Sequence, residues 1–251
     1  MGSYVTVESR GDLAVIRLDR PPANALTPEV LEEFAALREE LAAAEPAAVV
    51  VTGRDRFFSA GVDLKLVPTM GAEGHRSMVN GINRLVLDWY SFPRPVVAAV
   101  TGHAIAGGMV IALCADYRVG ASEGKLGLTE LRAGVPYPVG AIALVRAELS
   151  APAARALALR AHLVEPEEAL RLGLVDELAG AGEVLERACD VALDMAGFGG
   201  ESYARTKLAL RGETLNQIEL AVEAGDPLLE AWLAEGSEEA AASVLRRGRP
   251  E

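Results

Sequence analysis

Strand, turn and helix signals alternate through roughly the first three-quarters of the chain, and that alternation predicts an α/β fold. Two observations support it. Short β-branched or apolar runs at residues 48–51 and 96–100 each end within two residues at a glycine, Gly53 or Gly102, as buried strands do. The last quarter, from Glu201 onward, is Ala- and Glu-rich and reads as helix throughout. The expected division is therefore a core over 1–196 and a C-terminal helical region over 197–251.

In order, residues 4–7 and 13–18 flank Gly11 as a β-hairpin, and the adjacent prolines Pro21 and Pro22 make 20–26 a loop. Thr27 is placed to cap a helix that starts on Pro28, with Val30, Leu31, Phe34, Leu37 and Leu41 on one face. After the strand at 48–51, residues 54–65 read as a long loop. A helix near 75–90 stops before Pro93 and Pro95. The strand at 96–100 leads to Gly107–Gly108, which open an apolar helix reaching about Cys114. Short strands are expected at 117–119 and 125–128, then helices at 140–148, 151–161, 166–172 and 182–196.

A net charge of −12 argues against nucleic acid or an anionic membrane surface as partner. No apolar run approaches the ~20 residues that cross a bilayer. Cys114 and Cys189 sit in apolar stretches and read as buried thiols of a reducing compartment, so a cytoplasmic location is expected.

Three segments carry chemistry together. Ser59, Ala60 and Gly61 let backbone N–H groups approach a ligand closely. Gly107 and Gly108 begin a helix, where N–H groups lack intrahelical acceptors and the helix dipole favours negative charge. Glu130 stands in an apolar stretch, where a dry environment raises a carboxyl pKa and suits it to move protons. Two amides on one oxygen beside one carboxylate suit proton abstraction next to a thioester carbonyl.

The segments 20–26 (RPPANAL), 58–64 (FSAGVDL), 101–119 with its HAIAGG and CADYRV runs, and 127–130 (GLTE) resemble the enoyl-CoA hydratase/isomerase (crotonase) superfamily across nearly the whole chain. The resemblance implies a spiral of repeated ββα turns with C-terminal helices that build a homotrimer or hexamer. It implies an acyl-coenzyme A thioester as substrate, with no separate cofactor and no metal. It assigns the oxyanion-stabilising N–H groups to Val62 and Gly107 and the proton shuttle to Glu130. Ala60, Gly61, Asp63, Leu64, Lys65, Gly108 and Tyr137 are the expected substrate-binding positions.

Hydratases of this superfamily use two glutamates, and here Val110 stands where the first would be. The text around Glu130 also resembles the Δ3,Δ2-enoyl-CoA isomerases, so an isomerase is expected. A hydratase with a second acid from residues 65–80, a non-catalytic acyl-CoA binder and a purely structural oligomer remain open. Asp116 is expected to anchor Arg118 or a backbone turn. Lys65, Arg205 and Lys207 are candidates for coenzyme A phosphates, and Met70, Met78 and Val79 for the acyl tunnel. His75, His103 and His162 show no ligand spacing and read as structural, and 235–244 reads as a solvated helix face.

Overall fold

A computed structural model describes residues 3–233. Strands β1 (Val5–Arg10) and β2 (Leu13–Leu18) form the antiparallel hairpin. Helix α1 (Pro28–Ala44) starts as the sequence predicts, with the Thr27 hydroxyl accepting from the Val30 N–H at 3.3 Å. Then come β3 (Ala48–Thr52), β4 (Phe57–Ser59), α2 (Gly71–Tyr90), β5 (Val96–Val100), β6 (His103–Ile105), α3 (Gly107–Leu113), β7 (Tyr117–Ala121) and β8 (Leu126–Gly127). The chain continues through α4 (Val139–Glu148), α5 (Ala151–Ala154), β9 (Leu163–Val164), α6 (Pro166–Leu172), β10 (Glu177–Ala179), α7 (Val184–Ala196), α8 (Gly200–Glu223) and α9 (Leu229–Leu233).

The α/β fold is a spiral. Each turn gives its first strand to a six-stranded sheet of order β1-β2-β3-β5-β7-β10 and its second to a four-stranded sheet of order β4-β6-β8-β9. The pairs β3–β4, β5–β6 and β7–β8 repeat this step, with helices α2 and α3 closing the first two turns. The central strands β3 and β5 are buried along their whole length, which explains their continuous apolar runs. Strands β4, β6 and β8 run parallel, so their C-terminal ends open on one edge.

Several expectations change. The 54–65 loop contains β4, and β9 and β10 also appear; strands of two or three residues are too short to show a period of two. Helix α2 begins at Gly71, four residues early, because a 3₁₀ turn over Val67–Thr69 feeds it directly. The helix expected over 151–161 is α5 followed by a π-turn, Arg155–Leu159. The C-terminal region is helical as far as it is described, and α8 packs on α2 and α4. Residues 235–244 lie outside the described part.

Asp116 keeps one of its two expected roles, anchoring backbone, and loses the other. It does not hold Arg118, which pairs instead with Asp176 at 3.0 Å and Glu148 at 3.4 Å. Asp116 accepts from the Val96 N–H at 2.7 Å and binds Lys207 and Arg211 of α8, each at 2.8 Å. Lys207 is therefore buried in an ion pair and is no phosphate ligand; burial lowers its pKa to about 8 despite Asp116. Arg205 is exposed and pairs with Glu201.

Candidate active site

Three consecutive strand exits of the small sheet build the site. The chain leaving β4 carries Ala60 to Leu64, the chain leaving β6 carries Gly107, and the chain leaving β8 carries Glu130. Because those strands are parallel, residues separated by up to 70 positions meet at one edge. They face a cavity of about 790 Å³, within the size range of small-molecule sites.

The first exit is pinned by the proline loop. Leu26 bridges in parallel to Val62: the Leu26 N–H donates to Gly61 O at 2.8 Å and the Asp63 N–H to Leu26 O at 3.0 Å. Alternation along an extended chain turns the intervening Val62 N–H the other way. Asn24, in the left-handed region at φ 51°, donates to Phe57 O and Phe58 O at 2.9 and 3.2 Å. The Ser59 hydroxyl donates to Asn24 O at 2.7 Å and accepts from the Gly61 N–H at 3.2 Å. The sequence showed small residues at this turn but not their dependence on Asn24.

The second exit turns at Ala106, whose φ of 50° is unusual for a residue with a side chain. Its carbonyl accepts from the Met109 and Val110 N–H groups, which leaves the Gly107 N–H ahead of the helical ladder. Among the described residues neither the Val62 nor the Gly107 N–H has a backbone acceptor. The two turns touch. Gly61 has φ +77°, and a β-carbon there would lie 2.7 Å from Ile105 O and 3.0 Å from Gly107 N, so only glycine fits.

Glu130 opens a 3₁₀ turn, Glu130–Ala133. Its Oε2 is buried without a hydrogen-bond partner, and so is the Tyr137 hydroxyl. Burial pushes the Glu130 carboxyl up to about 7; its own N–H and then Tyr137 partly offset this by favouring the charged form. Burial next to Glu130 likewise raises Tyr137. The two groups are neighbours, but they do not form an aligned hydrogen bond in this state. Among the described residues that line the cavity Glu130 is the one carboxylate, and Val110 of α3 contributes an apolar wall.

Of the positions named from the sequence, Ala60, Val62, Leu64, Gly107 and Glu130 line the cavity. Gly61, Asp63, Gly108 and Tyr137 are not among the lining residues. Asp63 pairs with Arg20 at 3.0 Å and accepts from the Lys65 N–H, a structural role. Gly108 serves close packing, since a β-carbon there would lie 2.3 Å from Ser59 O. Lys65 is exposed. Met78 and Val79 are fully buried in the core and Met70 packs at its edge, so none of the three lines the cavity. The lining residues Ile82, Pro138, Ala141, Leu163 and Trp232 were not singled out from the sequence, which shows them only as ordinary apolar positions. Among the described residues no three His, Cys, Asp or Glu side chains gather to hold a metal, and no helix is long and apolar enough to cross a membrane.

The comparisons agree with this architecture. Residues 8–244 match the family model described as enoyl-CoA hydratase/isomerase. A putative enoyl-CoA hydratase of Thermus thermophilus is 38% identical over 236 residues, covering 90% of each chain. The human mitochondrial Δ3,Δ2-enoyl-CoA isomerase structure superposes with a TM-score of 0.90 at 25% identity, covering 97% of each chain. An apo structure of a Mycobacterium tuberculosis protein, described there as an enoyl-CoA isomerase and in a second structure as a probable enoyl-CoA hydratase, gives a TM-score of 0.83 at 31% identity, covering 89% of this chain and 98% of its own. With the spiral, the paired turns and the match over nearly its full length, the chain belongs to the enoyl-CoA hydratase/isomerase, or crotonase, family of acyl-CoA enzymes.

Proposed function

We propose that the protein moves the double bond of a 3-enoyl-CoA to the 2-position. One observation carries the proposal: among the described residues a single carboxylate, Glu130, shares a mostly apolar cavity with Val62 and Gly107, whose amides have no backbone acceptor, and Val110 lines the same cavity where a second acid would be needed for hydration. The ionised Glu130 takes a proton from the alpha carbon. Negative charge moves to the thioester oxygen, which receives the Val62 and Gly107 N–H groups; each such donor contributes about 3–4 kcal/mol to the transition state. Glu130 then returns the proton to the gamma carbon, leaving the 2-enoyl thioester. The carboxylate ends as it began, and the shift adds no water.

Addition of water needs one group to activate the water and another to protonate the alpha carbon, each contributing roughly 10²–10⁴-fold. The test is a paired assay of 3-enoyl-CoA isomerisation and 2-enoyl-CoA hydration by the same preparation. Isomerisation should exceed hydration by at least about 10²-fold. Hydration at or above the isomerisation rate overturns the proposal in favour of a hydratase.

The pH profile has a defined sign. Glu130 must be ionised in the free enzyme to accept a proton, so kcat/KM should rise with pH and level off above about 7. A Tyr137 hydroxyl turned onto the ionised carboxylate favours the charged form, so Tyr137→Phe should move that inflection to higher pH. An inflection that stays put in the variant would remove Tyr137 from the account. The homotrimer or hexamer expected from the family resemblance is a further proposal, tested by solution mass.

A further inference from the structure

We propose that Trp232 sets the length of acyl chain the cavity accepts, and that an Asp226–Asn83 latch holds it there. The inference rests on the acyl-CoA reading of the cavity and adds the residues that define its substrate class. Among the described residues that line the cavity, Ile82 of α2, Val135, Pro138 and Ala141 at the α4 entry, and Trp232 of α9 contribute an apolar wall. An alkyl chain has reason to lie along that wall, because each methylene buried there contributes about 0.8 kcal/mol. Trp232 is the largest side chain on it, 3% exposed, and its indole N–H donates to Pro136 O at 2.9 Å. The indole is thereby fixed across the wall.

Helix α9 is described over Leu229–Leu233, and what precedes it fixes where it starts. The buried Asp226, three residues before α9, ties it down. Its Oδ2 accepts from Asn83 Nδ2 at 2.8 Å and from the Val139 N–H at 2.9 Å, while Oδ1 accepts from the Leu228 N–H at 2.8 Å. Asn83 Oδ1 accepts in turn from the Gly140 N–H at 2.9 Å. One carboxylate thus joins α2, the first turn of α4 and the approach to α9. Asp226 and Asn83 do not line the cavity, so any effect they have on the substrate passes through Trp232 and its neighbours. Trp232 is a specificity-determining residue, and Asp226 is a positioning residue.

The experiment measures dissociation constants for saturated acyl-CoA thioesters of 4 to about 16 carbons by calorimetry on the full chain, a readout that does not depend on isomerase or hydratase activity. Trp232→Leu should raise the ratio of long-chain to short-chain affinity at least tenfold, the effect of burying about two further methylenes. Asp226→Asn, which keeps the shape and one acceptor oxygen, should move the same ratio in the same direction by a smaller factor. A melting transition and far-ultraviolet circular dichroism confirm that each variant is folded. If Trp232→Leu weakens all chain lengths equally or leaves the ratio unchanged, the proposal fails and the acyl-CoA reading stands. If the unmodified protein binds no acyl-CoA of any length, both fall.

Discussion

Glu130→Gln is expected to lower isomerisation roughly 10²–10⁴-fold while acyl-CoA thioesters still bind. Gln keeps the shape of the side chain but cannot accept the alpha proton, and the amides of Val62 and Gly107, proposed to hold the thioester oxygen, remain. The same substitution should raise the melting temperature at pH 8. A carboxyl whose folded pKa, about 7, lies above the ordinary 4.5 must ionise in a site that disfavours the charge. Fold stability therefore falls as pH rises from about 4.5 to 7. Neutral Gln removes that penalty. Stopped turnover with a raised melting temperature is the signature of a group kept for chemistry. Stopped turnover with a lowered melting temperature at pH 8 would instead give Glu130 a structural role. Retained turnover would remove Glu130 from the mechanism.

Asp116→Ala is expected to destabilise the protein by about 3–5 kcal/mol, read as a lowered denaturation midpoint. The variant leaves Lys207 and Arg211, both buried, without their shared carboxylate. It also leaves the Val96 N–H, at the start of the central strand β5, without its acceptor. The penalty comes from stranded charge, so Asp116→Ala combined with Lys207→Met should recover part of it. Arg211 retains the carbonyls of Tyr90 and Ala115 and the face of the Tyr90 ring in either case. A change below about 1 kcal/mol would place these charges in solvent contact, where such pairs contribute little.

The features legible along the chain are local ones. Prolines at 21 and 22, Thr27 before Pro28, the apolar runs of β3 and β5 and the glycines after Ser59 and Ala106 each act within a few residues, so the α/β pattern and the three chemical segments could be read directly. The resemblance of those segments to one family then implied the spiral and the roles of Val62, Gly107 and Glu130. Which groups meet is a matter of packing. Parallel pairing of β4, β6 and β8 brings residues 62, 107 and 130 to one edge, and the bridge from Leu26 to Val62 pins the first of them there. Lys207, a surface charge by composition, is buried because α8 lays it against Asp116, 91 positions earlier. Trp232 closes the apolar wall because Asp226 reaches Asn83 across 143 positions. Pairings over such separations leave no periodic trace in the chain, since they depend on how elements pack and not on spacing along them.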